Sequence, residues 1–214
     1  MKADVIIQSC PQRAATLRET IESVEASDIG HDYEVAMHPA GMSLNDFFYA
    51  VLKRMSEATT EYVIRLEDDA LVNRHILHNV LSWPAVQDPE FGGGWLFVPH
   101  GLMGPSWFSA HRMTKNGEMY RTKFPLHSSV GYMFKTETLP KIIEAMHTYD
   151  DDKRYNGGMM DFGVSLAIEK LGLKLFLHVP SLVEHNLKIP SAMQHTYDSG
   201  TATAGGLFKP DWRR

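Results

Sequence analysis

Glu61-Tyr-Val-Ile-Arg-Leu-Glu-Asp-Asp-Ala-Leu71 is a short apolar run that ends in three consecutive carboxylates. Tyr62 to Leu66 are aromatic, β-branched or aliphatic apart from Arg65, which reads as a buried strand. Side chains alternate along a strand, so Glu67 and Asp69 are expected on one face and Asp68 on the other. Neighbouring carboxylates repel, and a protein that gathers them at a strand end commonly supplies a cation, a hard divalent metal first of all. A solvated turn or a cap for the next segment is the plain alternative. Position separates the two readings, because ligands of open α/β sheets bind beyond the carboxyl ends of strands.

Working outward, Val5 to Ile7 predicts a first strand, broken by Pro11-Gln-Arg13 before Leu17, Ile21 and Val24 recur at helical spacing. Tyr33 to Met37 is a second strand, closed by Pro39-Ala-Gly41. Ser43 is placed to cap a helix with Asp46 three residues on, and Leu44, Phe47, Phe48, Val51, Leu52 and Met55 form its apolar face. The first seventy residues therefore alternate β-α-β-α-β, which predicts an α/β fold with a mainly parallel sheet flanked by helices.

Beyond the triplet, Ile76 to Leu81 reads as helix, Pro84 to Gly94 as loop, and Trp95 to Val98 as a buried strand. Pro99 to His127 shows little periodicity and carries Arg112, Lys115, Arg121 and Lys123 against Glu118 alone, so it is expected to form an irregular acceptor-facing lobe. Ser128 to Phe134 is a strand whose Gly131 marks a close approach. Thr138 caps a helix with Pro140 in its first turn and Leu139, Ile142, Ile143 and Met146 facing inward. Asp161 heads another, with Val164, Ala167, Ile168 and Leu171 inward and Gly172 at its end. Leu173 to Val179 alternates as a strand, Pro180 to His185 leads out of it, and a tail rich in Gly, Ser, Thr and Ala follows.

The chain has 214 residues, 43% hydrophobic and 22% charged, and reads as a single domain in three stretches, 1–98, 99–185 and a tail or lid over 186–214. A net charge of −5 gives no global field toward nucleic acid or anionic membrane. Cys10 is alone, so no internal disulfide forms, and no apolar run approaches a signal core or a membrane span. These features fit a cytoplasmic protein, in host cytoplasm if the gene belongs to a phage.

The order of pieces resembles the GT-A-fold glycosyltransferases that move a sugar from a nucleotide donor. The likeness, over about residues 4 to 188, rests on the Pro11-Gln-Arg13 loop after the first strand, Glu67-Asp68-Asp69 in the place of the DxD motif, Asp161 heading a late helix, and His185 after the final strand. It implies that Asp69, with Glu67 and His185, holds manganese or magnesium. It also implies that Gln8, Pro11, Arg13, Asn45, Asp68 and Lys188 line the donor, expected to be a UDP-sugar. A divalent ion stabilises charge on a departing diphosphate, and oxygens plus one imidazole suit manganese. Asp161 is then the general base of an in-line, inverting attack by the acceptor hydroxyl, although an N-cap role explains it equally. Trp95, Trp107, Phe108 and Tyr120 are candidates to stack on an acceptor, which the residues leave open among a glycan, a small molecule and hydroxymethylated DNA. Two other functions stay in view. A sugar-nucleotide-forming nucleotidyltransferase would open with a glycine-rich phosphate loop, which Ser9-Cys-Pro-Gln-Arg13 lacks. A non-catalytic sugar or nucleotide-binding module would lack the metal or the base.

Overall fold

The computed structural model describes residues 2–99, 111–121, 130–147, 160–187, 204 and 207–214. Strand β1 (Ala3–Ser9) runs through a 3-10 turn (Pro11–Arg13) into helix α1 (Ala14–Glu25), and β2 (Glu34–Met37) precedes α2 (Leu44–Ser56) and β3 (Tyr62–Glu67). Short β4 (Ala70–Val72) and α3 (Ile76–Leu81) follow, then β5 (Phe91–Trp95), β6 (His111–Met113), β7 (Met119–Arg121) and β8 (Gly131–Lys135). The last elements are α4 (Leu139–His147), α5 (Met160–Lys170), β9 (Lys174–Leu177) and β10 (Val183–His185).

Among the described residues, eight strands form one sheet in the order β2-β1-β3-β8-β5-β9-β7-β6, and β4 pairs with β10 in a separate ribbon. β2, β1, β3, β5, β9 and β6 run one way and β8 and β7 the other, so the sheet is mixed but mainly parallel in direction. The expected α/β fold is present. Strand order 2-1-3 with right-handed crossovers sends α1 and α2 to opposite faces. The cores agree. Phe47, Phe48, Val51, Leu52 and Met55 of α2 pack with α4, α5, Ile6 and Val63, while Val24 of α1 and Ile76 and Val80 of α3 pack with Val5, Ile7, Ile64 and Leu66. Covered on both sides, β3 is apolar almost throughout.

Local signals hold where they are strong. Asp46 N donates to Ser43 Oγ as a helix cap should. A Cβ on Gly131 would stand 2.9 Å from Val183 Cγ2, the close approach its position implied.

Several expectations are corrected. Leu44 and Leu171 are exposed, because each sits at a helix end beyond the packed face. Thr138 Oγ1 donates back to the Lys135 carbonyl inside a 3-10 turn, so it is not the helix cap. The stretch to Gly94 contains a strand rather than only loop: a Cβ on Gly92 would meet Leu173 at 2.8 Å, and one on Gly94 would meet Trp83 at 2.7 Å. Larger neighbours fill that part of the sheet, which erases the periodic signal, and pairing ends at Trp95 although Leu96 to Val98 stay buried. Part of the irregular stretch 99–127 is a hairpin, β6–β7, added to the sheet edge through Tyr120↔Phe176.

The end of the chain is fastened. Ser181 N donates to the Leu207 carbonyl, Arg74 N to the Pro210 carbonyl, and the Trp212 ring lies 5.5 Å from that of His178. Lys209 and Arg213 therefore belong to a segment packed beside α3, not to a loose end. No described helix is long and apolar enough to cross a membrane.

Candidate functional site

The ends of β1 and β3 lie side by side, with Gln8 opposite Glu67 in parallel register. Ser9 is the next residue of β1, and its Oγ donates to Asp68 Oδ2 at 2.7 Å. After Cys10 the 3-10 turn, closed by Arg13 N on the Cys10 carbonyl, folds Arg13 back under the strand ends. Its Nε donates to Asp68 Oδ1 at 2.7 Å and its Nη2 to Asp69 Oδ2 at 2.6 Å. From the next turn of α1, Thr20 Oγ1 holds the Asp68 carbonyl.

His185 arrives from the other end of the chain. Because β10 pairs with β4 in the register His185↔Ala70, the imidazole is set beside the residue preceding Ala70. His185 Nε2 lies 3.1 Å from Asp69 Oδ2, and Asn186 N donates to the Asp69 carbonyl. Asp68, Asp69, Arg13 and His185 are all less than a tenth exposed. Asp69 Oδ1 is buried and meets no hydrogen-bond partner among the described residues.

Burial pushes the Asp68 carboxyl above its usual range, while Ser9 and Arg13 pull it down. Burial also lowers the Arg13 guanidinium, but Asp69 and Asp68 outweigh it and the net shift is upward. Among the described residues, the group sets two carboxyl groups against one guanidinium.

Glu67 does not share this cluster, contrary to the alternation expected of the triplet. The strand ends at Glu67 and the chain turns, so Asp68 and Asp69 both reach Arg13 while Glu67 remains on the opposite face. There Arg65 Nη2 donates to Glu67 Oε1 at 3.2 Å, Arg65 Nε donates to Gln8 Oε1 at 2.8 Å, and the guanidinium lies 4.5 Å from the centre of the Phe48 ring. Gln8 is thus tied to Arg65.

Pro11 is exposed at the start of the turn and Asn45 is half-buried in the first turn of α2. Trp95 is fully buried against the α2, α4 and α5 face, leaving no ring face open to an acceptor. Tyr120 packs on Phe176 at 5.8 Å with the Lys174 ammonium 5.0 Å from its ring centre, so it serves the sheet edge. Lys188, Trp107 and Phe108 lie outside the described residues, as does the carboxylate of Asp161, the second residue of α5. Ser9, Thr20 and Asn186 were missed by sequence reading. Ser9 alone left a signal, as the polar end of β1 on the face opposite Gln8.

The residues fit a divalent cation as a partial site. Asp69 offers a buried oxygen without a partner and His185 offers an imidazole nitrogen, an oxygen–nitrogen pair suited to manganese. No group of three His, Cys, Asp or Glu side chains among the described residues could hold a metal by itself, so a diphosphate or water must complete the shell.

No family model matches the sequence, and no curated protein does. Solved structures match the fold. The galactosyltransferase LgtC in complex with donor and acceptor sugar analogues superposes with a TM-score of 0.51 at 14% identity, over 81% of this chain and 72% of that one. CMP:2-keto-3-deoxy-manno-octonic acid synthetase complexed with CTP gives 0.51 at 10% identity, over 83% and 89%. The apo glycosyltransferase GlyE of Streptococcus pneumoniae TIGR4 gives 0.50 at 7% identity, over 82% of this chain and 45% of that one. The chain has the GT-A-like fold, which sugar-nucleotide glycosyltransferases and nucleotidyltransferases share.

Proposed function

We propose that this chain is a metal-dependent glycosyltransferase that moves a sugar from a nucleoside diphosphate donor, a UDP-sugar first of all, to an acceptor hydroxyl. The observation that carries the reading is Asp69 at the carboxyl end of β3, with one buried oxygen unpartnered among the described residues and the other 3.1 Å from His185. Asp69 and His185 would hold manganese or magnesium, which stabilises negative charge on the departing diphosphate. Ser9 and Arg13 hold Asp68 so that it can meet the donor, and Thr20 and Asn186 fix the backbone by donating to the Asp68 and Asp69 carbonyls.

Asp161 is proposed to take the proton of the acceptor hydroxyl. In the balanced step the acceptor oxygen bonds to the anomeric carbon as the bond to phosphate breaks, the electron pair leaves with the diphosphate, and the configuration inverts. Trp107 and Phe108, within the basic stretch 99–127, are proposed to face the acceptor, be it a glycan, a small molecule or hydroxymethylated DNA.

A nucleotidyltransferase is the second reading, favoured by the fold shared with the CTP-bound synthetase. The absence of glycine from Ser9-Cys-Pro-Gln-Arg13 speaks against it. One screen separates them: release of nucleoside diphosphate from UDP-, GDP-, ADP- and CDP-sugars with manganese, magnesium or chelator. Metal-dependent UDP release that grows with acceptor supports transfer. Pyrophosphate release from a nucleoside triphosphate and a sugar phosphate overturns it.

A further inference from the structure

Arg13 stands where an incoming cation has to act. Its Nη2 donates at 2.6 Å to Asp69 Oδ2, the oxygen that also faces His185 Nε2 at 3.1 Å. An ion bound by both Asp69 and His185, through either oxygen of Asp69, would repel the guanidinium beside it and weaken its hold on Oδ2. Arg13 keeps a second hold through Nε on Asp68 Oδ1, so losing Asp69 need not expel the side chain from the site. A planar guanidinium also matches phosphate oxygens in a forked pair.

We propose that Arg13 is the resident cation of the Asp68–Asp69 pair and exchanges with the divalent metal, which makes metal and donor diphosphate bind together. In the resting protein Arg13 offsets the carboxylates and keeps metal affinity low. When metal takes Asp69, the freed arm of Arg13 turns to the diphosphate, so each ligand strengthens the other. Their coupling is reciprocal by linkage. The inference rests on the reading that Asp69 and His185 bind the metal.

Manganese binding measured by the electron paramagnetic resonance of the free ion, with and without UDP and corrected for manganese held by UDP in solution, tests it. Wild type should bind manganese weakly alone and about tenfold or more tightly with UDP. R13Q should bind manganese alone about tenfold more tightly than wild type, lose most of the UDP enhancement, and gain more melting temperature from manganese, because the metal restores the missing positive charge. R13K keeps the charge without the fork and should fall between them. If R13Q does not fold, the wild-type and R13K arms still decide. Equal manganese affinity with and without UDP in wild type overturns the exchange, as does equal enhancement in wild type and either variant. Manganese bound by no protein under any condition overturns the metal site itself, a distinct result.

Discussion

Two arginines flank the same pair of strands, one on each face, and they differ in what they leave unbalanced. Arg65 projects from inside β3, 1% exposed, lies over Phe48, and is matched by Glu67 and Gln8. Among the described residues, one positive charge meets one negative charge. Arg13 comes from a three-residue turn and faces two buried carboxylates, with a histidine alongside and one carboxylate oxygen lacking a partner among the described residues. A balanced, ring-covered pair stabilises the sheet, whereas an unbalanced one retains attraction for another cation. The adjacent acids Glu67 and Asp69 thus belong to different chemistry.

The sharpest way to break that contrast is to neutralise each acid in turn. D69N should lower turnover by about 10²–10³-fold, as loss of a group aimed at developing charge does, while E67Q should change it by less than about tenfold because Glu67 serves Arg65. Equal losses in steady-state kinetics would dissolve the distinction.

Histidines sharpen it next. His185 faces a carboxylate, but His178, 1% exposed, places Nδ1 2.7 Å from the Pro180 carbonyl and leaves Nε2 buried without a partner among the described residues. Burial, opposed by the Pro180 carbonyl and assisted by Arg214, lowers its pKa to about 4. The unfolded chain therefore binds the extra proton first. Stability from the neutral ring is complete above about pH 6.5 and falls as pH drops toward 4, by about 3 kcal/mol in all. Urea melts across that range should show the slope in wild type and lose that contribution in H178N, with the site acids unchanged.

Removing the balanced arginine is a stability experiment. R65M should cost about 2 kcal/mol, because Gln8 and Glu67 lose their partner, yet leave manganese binding with UDP intact. Loss of metal binding in a folded R65M would join the two clusters. The smallest effect is expected remote from both: S43A, which removes the cap of α2, should cost about 1 kcal/mol in thermal melts with kcat preserved.

Strong local patterns carried most of the fold. The Ser43–Asp46 cap, the apolar face of α2 and the apolar run of β3 are short-range signals, and each has its structural counterpart. Reading failed where neighbours decide. Glycines make a buried strand only because Trp83 and Leu173 fill the missing volume, and of two rings that resemble stacking platforms, Trp95 is fully buried and half-buried Tyr120 packs on Phe176. Within the triplet, strict alternation missed the turn at Asp68, which separates Glu67 from the two acids that share Arg13.

By itself the sequence determined the β-α-β-α-β opening and the acid-tipped central strand, because periodicity and capping depend on residues within a few positions of each other, while only the family resemblance singled out His185. Tertiary structure decided that Asp69 meets His185 across 116 positions and Arg13 across 56, and that Glu67 does not join them. Those contacts follow from the register of β10 on β4 and of β1 on β3. Such pairings lower the free energy only when the whole sheet forms, so no short window of sequence contains them.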